Sequence, residues 1–125
     1  MNLTVLDKTF SLFIRQRDAV NGIVKCISCG KLVPWKESDC GHYINRKHMA
    51  TRYDEQNNNG QCRSCNRFDE GNIQGYRKGL IEKIGIEAVE RLEIKKFNTC
   101  KMSQFEVNLL TKLYKQKIKS LTLNQ

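Results

Sequence analysis

Apolar residues recur at helical spacing near the start of the chain. Phe10, Phe13, Ile14 and Val20 fall on one face of a helix that the pattern predicts over residues 7–22. Basic side chains lie toward the other face, and the Asn-Gly pair at the end of the stretch is typical of a turn. The sequence therefore predicts an amphipathic N-terminal helix.

The helical spacing returns in the second half of the chain. Residues 73–84 and 87–96 each predict a helix, and Gly85 between them suits the left-handed cap at which the first of these helices would end. A third helix is predicted to start at the capping box Ser-Gln-Phe-Glu, residues 103–106. Its expected buried stripe consists of Phe105, Leu109, Leu110, Leu113, Tyr114 and Ile118.

The middle of the chain has a different pattern. Residues 23–34 combine β-branched residues with a Cys-x-x-Cys pair, a glycine and the single proline, which predicts a short hairpin or a zinc knuckle. Residues 37–61 are mostly polar and predict strand and loop, with Tyr43 and Ile44 as inward-facing anchors. These patterns predict an α+β fold in a single domain, residues 1–125, that consists of the N-terminal helix (7–22), a zinc-stapled core (23–76) and a helical C-terminal extension (77–125).

The composition indicates the kind of partner. The chain of 125 residues has a formal charge of +9, which favours a polyanion, and nucleic acid is the commonest polyanionic partner of a basic protein. The sequence lacks a run of about 18 apolar residues, so we expect no membrane span. We expect a cytoplasmic protein, in which the six cysteines are thiols or metal ligands and not disulfides.

Four of these cysteines form two CxxC pairs, Cys26 with Cys29 and Cys62 with Cys65. A two-residue gap lets one tight turn present two sulfurs to one ion, and four thiolates satisfy the tetrahedral preference of Zn²⁺. The segment between the pairs is longer than the roughly 15–20 residues of the simplest zinc patterns. A site of four sulfurs has no open coordination position, so the zinc is expected to be structural, and any catalysis must use other groups.

A histidine and two asparagines follow one another in an informative order between the first CxxC pair and the residue after the second. His42 falls on an expected strand, Asn57 in the following loop and Asn66 directly after Cys65. This order is similar to that of the zinc-stapled ββα-metal, or HNH, nucleases. Over roughly residues 7–95 the chain resembles the phage NinG/Rap family of recombination endonucleases. The motifs that carry this resemblance are IRQRDA (14–19), CISCG (26–30), CGHYINR (40–46), RYDEQN (52–57), QCRSCN (61–66) and LIEKIGIEAVERL (80–92).

The resemblance implies a metal-dependent DNA endonuclease that acts on branched recombination intermediates such as Holliday junctions and D-loops. It makes His42 the general base, because a neutral imidazole accepts a proton near pH 7. Asn57 would hold either the loop or the imidazole in place, and Asn66 would give an oxygen to a catalytic Mg²⁺ or Mn²⁺. The resemblance also implies a phage or prophage origin.

Gly41 departs from the nuclease motif, which has an acidic metal ligand directly before the histidine. The nearest preceding carboxylate is Asp39, which would reach the catalytic ion if the strand bulged at Cys40 and Gly41, a distortion that glycine permits. If the strand does not bulge, the catalytic metal site would be completed by Asp69, Glu70 or Asn72.

Basic residues near these motifs are expected to contact the DNA backbone. The residues expected to bind DNA are Arg46, Lys47, Arg52, Arg63, Arg67, Arg77 and Lys78. A symmetric junction would be cut most naturally by a homodimer, for which the amphipathic final helix is a candidate interface.

Two other functions remain open. The first is a non-catalytic, zinc-stapled module that binds DNA or RNA, in which residues 39–46 are only a folded basic loop. His42 would then be a zinc ligand or a core residue, Asn66 a helix N-cap, and Asn57 part of an ordinary turn. The second is a sequence-specific HNH nuclease, for which so short a chain leaves little room to build a base-reading domain.

Overall fold

The computed structural model describes residues 1–123 and begins with helix α1, Thr4–Asp18. The N-terminal helix is confirmed, but it lies earlier in the chain than the expected residues 7–22. It ends at Asp18, after which Asn21 and Gly22 take positive φ angles of 51° and 78° and turn the chain toward the first strand, with Val20 exposed. Its buried residues are Leu6, Thr9, Phe10, Phe13 and Ile14.

Four short strands form two antiparallel pairs. Strand β1 (Ile23–Lys25) pairs with β2 (Leu32–Pro34), and the first CxxC pair lies in the turn between them. The region 23–34 is therefore both a hairpin and a knuckle. Strand β3 (Ser38–His42) pairs with β4 (Asn58–Cys62), which leads directly into the second CxxC pair. The connection from β3 to β4 contains one helical turn, α2 (Met49–Arg52).

Three helices follow the second CxxC pair, as predicted: α3 (Ile73–Ile84), α4 (Ile86–Lys95) and α5 (Gln104–Leu123). Gly85 separates α3 from α4 with a φ of 86°. The capping box also forms, because the backbone N–H of Glu106 donates to Ser103 Oγ over 3.1 Å. The last two residues of the predicted C-terminal extension, 124 and 125, lie outside the described residues.

The pair β3–β4 lies between two helical layers. On one face, α1 and α5 form a cluster against which Cys40 of β3 packs. On the other face, Tyr43 and Ile44 pack with residues of α3 and α4, which confirms both as anchors. The boundary expected between residues 76 and 77 falls inside α3, so the core and the C-terminal helices share this element.

Only part of the stripe predicted for α5 is buried. Tyr114 lies against α1, with its ring centre 4.8 Å from that of Phe10, whereas Phe105 is 71% exposed. The periodicity identified an amphipathic helix correctly but placed its buried face too far toward Phe105, because that side of the helix is also apolar. The α5 residues that pack on α1 are Val107, Leu110, Tyr114, Ile118 and Leu121, and those left exposed are Phe105, Leu109 and Leu113.

Helix α3 approaches the first CxxC turn closely through two glycines. A Cβ atom at Gly75 would lie 2.3 Å from the carbonyl oxygen of Ser28, and one at Gly79 would lie 2.0 Å from that of Ile27. These backbone oxygens cannot rotate away as a side chain would. The two glycines therefore fix how near α3 lies to the cysteines.

Substituting Gly79→Ala tests this close approach. Alanine normally stabilises a helix interior relative to glycine by about 1 kcal/mol. Here we expect the opposite sign, a loss of about 1–3 kcal/mol in the free energy of unfolding, because the methyl group overlaps a backbone carbonyl. Urea unfolding would measure this change in the free energy of unfolding. Lys78→Ala, on the exposed side of α3, is the control. A stabilised Gly79→Ala variant would contradict the packing described.

Candidate functional site

The two CxxC turns bring four cysteine sulfurs together. The Sγ atoms of Cys26, Cys29, Cys62 and Cys65 all lie within 4.8 Å of one another. Burial raises the pKa of Cys29 and raises that of Cys65 to about 12, whereas at Cys26 backbone hydrogen bonds outweigh the effect of burial and lower the pKa. The donor set and its geometry fit a tetrahedral, structural Zn²⁺.

Strand β3, between the two CxxC pairs, keeps an unbroken register with β4. Every residue of β3 has one partner, from Ser38 opposite Cys62 to His42 opposite Asn58, so the conditional bulge at Cys40 and Gly41 does not occur. Gly41 has a different role. A Cβ atom there would lie 2.1 Å from Oε1 of Gln61, so the glycine makes room for this buried side chain.

Asp39 and Asn66 are brought together, as expected for two members of one site. Asn66 Nδ2 donates to Asp39 Oδ2 over 2.9 Å, and the guanidinium of Arg67 donates to both carboxylate oxygens over 2.9 Å. Burial raises the pKa of Asp39, but the hydrogen bonds from Arg67 and Asn66 bring it below its usual value. Asp39 is therefore a carboxylate that already faces a positive charge.

His42 lies on the opposite face of β3 from Asp39. Side chains alternate along a strand, and without a bulge Cys40 and His42 point toward α1 while Asp39 and Gly41 point toward Asn66 and Gln61. The expectation that Asp39 would join His42 at one metal ion through a bulge is therefore wrong in this conformation. The cause is the regular β3–β4 pairing that Gly41 makes possible.

The imidazole of His42 lines a small cavity of about 190 Å³ at the end of β3. Burial, followed by the guanidinium groups of Arg52 and Arg46, lowers the pKa of His42 to about 4, while Asp7 has a smaller opposing effect. His42 is therefore neutral at pH 7. Its Nδ1 atom is buried and has no hydrogen-bond partner among the described residues. The other residues that line the cavity are Asp7, Phe10, Ser11, Cys40, Arg46 and Tyr53.

Asn57 holds the loop that follows His42. Its side chain is fully buried and accepts from the N–H of Ile44 over 2.8 Å, while its Nδ2 donates to the carbonyls of Ile44 and Thr51, each over 3.1 Å. Of the two roles considered for Asn57, these contacts support the loop and not the imidazole. Asn58 and Asn59 are also buried, so the asparagine run leads into a buried strand and is not an exposed turn.

Asp7 is a member of the His42 cavity that the sequence did not reveal. Its carboxylate accepts from Arg52 Nη2 and from the hydroxyl of Tyr53, each over 2.6 Å. Burial raises the pKa of Asp7, but these two hydrogen bonds bring it below its usual value. Asp7 lies on α1, far in sequence from His42, Arg52 and Tyr53, and a single acidic residue on a helix gives no signal of such a role.

The residues proposed as alternative metal ligands lie elsewhere. Asp69 and Glu70 are exposed on the turn after the second CxxC pair. Asn72 is used within the structure, because its Nδ2 donates to Cys65 Sγ over 3.3 Å and its Oδ1 accepts from the N–H of Gly75. None of the three contacts His42 in this arrangement.

The expected DNA-binding residues fall into two groups. Arg52, Arg67 and Arg77 are held in ion pairs with Asp7, Asp39 and Glu93, respectively. The residues of the second group are exposed and form no ion pair among the described residues: Arg46, Lys47, Arg63 and Lys78.

Two antiparallel strand pairs, stapled by a four-cysteine cluster and covered by helices, define an α+β protein with a candidate structural zinc centre. The chain belongs to a family of phage proteins, because residues 3–124 match the family described as Bacteriophage Lambda NinG protein. None of the helices described in residues 1–123 has both the length and the hydropathy needed to cross a bilayer.

Curated relatives agree with this family. Proteins named "Protein ninG" from Escherichia phage 933W and Salmonella phage P22 are each 38% identical to the chain, and that of Escherichia phage lambda is 37% identical. Each alignment covers 87% of this chain and 52% of the relative, so the chain spans about half the length of these relatives. No solved structure matches the chain.

The zinc assignment can be tested with Cys62→Ser. We expect this variant to lose bound zinc and much of the fold, because serine is a poor zinc ligand and Cys62 connects β4 to the cluster. Zinc content and far-UV circular dichroism would be measured, with the exposed Cys100→Ser as the matched control. A Cys62→Ser protein that is metal-free yet fully folded would exclude a structural role for zinc.

The buried, neutral state of His42 predicts a pH dependence of stability. The pKa of His42 is about 4 in the folded protein and about 6.5 when unfolded, so the unfolded chain binds the proton more readily. The contribution of neutral His42 to the free energy of unfolding is fully present above about pH 6.5. It decreases by about 3 kcal/mol in total as the pH drops toward 4. Urea unfolding between pH 7 and 4 should show a shallower decline for His42→Asn. Parallel curves for the two proteins would contradict this.

Proposed function

We propose that this protein is a metal-dependent DNA endonuclease that acts on branched recombination intermediates, with His42 as the general base. The observation that carries the proposal is the neutral imidazole of His42 at the end of β3, beside Arg46 and Arg52 and in front of a loop fixed by Asn57. The formal charge of +9 and the resemblance to the HNH nucleases support it. In this proposal β3, β4 and the turn leading into α3 form a ββα-metal core.

His42 would act by taking a proton from water. An imidazole with a pKa of about 4 is unprotonated at pH 7 but a weak base, so a bound phosphate that offsets the charges of Arg46 and Arg52 would have to raise this pKa for efficient proton transfer. The water oxygen forms a bond to phosphorus, the bond from phosphorus to the 3′ oxygen breaks, and the proton from water passes to the ring. The 3′ oxygen leaves as a hydroxyl after it gains a proton from solvent, so the products are a 3′ hydroxyl and a 5′ phosphate.

Arginine side chains would hold the scissile phosphate beside His42. Arg46 is exposed at the rim of the cavity and free to reach a phosphate oxygen. Arg52 is held by both oxygens of Asp7 over 2.6 and 3.2 Å, so its role would be to keep a fixed positive charge near the reaction. The exposed Lys47, Arg63 and Lys78 would contact more distant phosphates.

Asp39 and Asn66 are the residues that would hold a catalytic Mg²⁺ or Mn²⁺. They offer a carboxylate and an amide oxygen, which suit a hard cation, and a bound ion would have to displace the guanidinium of Arg67 from this carboxylate. When bound, such an ion would stabilise negative charge on the phosphate and the leaving oxygen. Asp39 and His42 face opposite sides of β3. DNA binding or a conformational change at the strand end would therefore have to bring the bound ion and the imidazole of His42 to the same phosphate.

The second candidate, a non-catalytic zinc-stapled module that binds DNA or RNA, is favoured by one observation. Asp39 is already satisfied by Arg67 and Asn66, and within residues 1–123 the cysteine cluster is the one group of three or more Cys, His, Asp or Glu side chains that converge as for a metal. In that case the Asp39 ion pair is structural. The same exposed basic residues would still bind phosphates, and the two functions differ in cleavage alone.

A homodimer would suit a symmetric branched substrate, because each copy would supply one site. The exposed apolar residues Phe105, Leu109 and Leu113 make α5 the candidate interface. A phage protein with such a substrate would act in the cytoplasm of the bacterial host.

Cleavage of labelled DNA tests the proposal. A four-way junction and a linear duplex of the same sequence would each be incubated with Mg²⁺ or Mn²⁺. We expect nicking of the junction by the unaltered protein and a loss of at least about 100-fold with His42→Ala, the lower end of general-base contributions. His48→Ala is the matched control, since His48 is the other histidine of the chain. Both variants should retain zinc.

The possible outcomes separate the two candidates. Junction binding without cleavage of either substrate, with either ion, would establish the binding module. Cleavage that survives in zinc-loaded His42→Ala would place the chemistry elsewhere in the molecule.

A further inference from the structure

The turn after the second CxxC pair has an unusual backbone. Glu70, Gly71 and Asn72 take positive φ angles of 48°, 83° and 42° in succession, although two of the three are not glycine. A non-glycine residue in this region costs about 1 kcal/mol or more, so the surrounding contacts have to stabilise it. The carbonyl of Gly71 accepts from the buried Gln61, and its N–H donates to the carbonyl of Cys65.

This backbone places the side chain of Asn72 between the cysteine cluster and α3. The Nδ2 group donates to Cys65 Sγ over 3.3 Å, and Oδ1 accepts from the N–H of Gly75 over 3.2 Å. Asn72 is therefore the N-cap of α3 as well as a donor to a zinc-ligating sulfur. Its two ends have different chemistry, since one is a donor and the other an acceptor.

A donor at this sulfur has a clear energetic role. Four thiolates on one Zn²⁺ leave the centre with a net charge of −2, which N–H groups aimed at the sulfurs partly offset. The backbone N–H of Cys65 provides one such donor to Cys62 Sγ over 3.4 Å. At Cys65 Sγ the donor is the side-chain amide of Asn72.

We propose that Asn72 is a positioning residue of the zinc centre, which stabilises the Cys65 thiolate through its Nδ2–H and couples metal binding to the start of α3 through its Oδ1. Zinc binding fixes Cys65, Cys65 fixes the amide of Asn72, and the amide orders the first turn of α3. Tyr76 on α3 in turn donates to the carbonyl of Gly41 over 2.7 Å. The zinc centre thereby supports the strand that carries His42. This inference does not depend on the nuclease proposal.

Substitutions of Asn72 should have different effects if the residue only caps α3 than if it also positions the zinc centre. Asn72→Asp keeps an oxygen acceptor for the N–H of Gly75, and aspartate is a good N-cap that also tolerates positive φ. The same substitution removes the N–H donor and places a negative charge next to a thiolate. Asn72→Gly keeps the backbone conformation and loses both contacts.

The rate of zinc transfer to a chromophoric chelator separates these roles. We expect Asn72→Asp and Asn72→Gly each to release zinc about 10-fold faster or more, the range for partners of metal ligands. The control is Asn98→Asp, which makes the same chemical change at an exposed asparagine between α4 and α5 and should release zinc at the unaltered rate. If only Asn72→Gly released zinc faster, or neither did, the proposal would be overturned.

A second measurement needs no substitution. With ¹¹³Cd in place of zinc, a hydrogen bond from an amide to a coordinating sulfur allows scalar coupling between the metal and the amide proton. We expect a ¹¹³Cd correlation to the side-chain amide protons of Asn72 in the intact protein. A spectrum that shows correlations to backbone amides of the CxxC turns but none to Asn72 would overturn the proposal, even if the Asn72 variants failed to fold.

Discussion

The structure depends on the convergence of four cysteine sulfurs at one point. Two of them lie in the turn of the first hairpin and two at the end of β4, so closing the cluster fixes that hairpin against the second strand pair. Strand pairs this short are at best marginally stable on their own. A structural zinc site is worth about 10–16 kcal/mol in small zinc-finger peptides, which is comparable with the whole stability of a domain. The helices pack on the two faces of the strand pair β3–β4, one end of which the cluster holds.

The pair β3–β4 divides the candidate chemistry into two halves. On the side of α1 are His42 and Asp7, and on the side of α3 are Asp39 and Asn66. The arginines near each half are paired with carboxylates, Arg52 with Asp7 and Arg67 with Asp39. The excess positive charge is therefore carried by other basic residues. This separation follows from the regular register of the two strands.

Local patterns predicted the elements well, because helices and CxxC turns are set by residues close in sequence. The two CxxC turns, the capping box at Ser103 and the end of α3 at Gly85 are all features of this kind. The buried face of α5 could not be chosen from its periodicity, since two adjacent sides of the helix are apolar. Two other features depend on residues that only the fold brings together. Asp7 is bound by Arg52 and Tyr53, and Gly41 leaves space for the side chain of Gln61.

The low pKa of His42 is a property of the protein without its ligand. Part of it comes from the positive charges of Arg52 and Arg46, which disfavour a further positive charge nearby. An anion that entered the cavity would offset these charges and favour the imidazolium, so binding would be accompanied by proton uptake at mildly acidic pH. The affinity for any phosphate that reaches His42 would therefore increase as the pH falls, as long as the protein remains folded. The charge of a ligand bound in this cavity would thus determine the protonation state of His42.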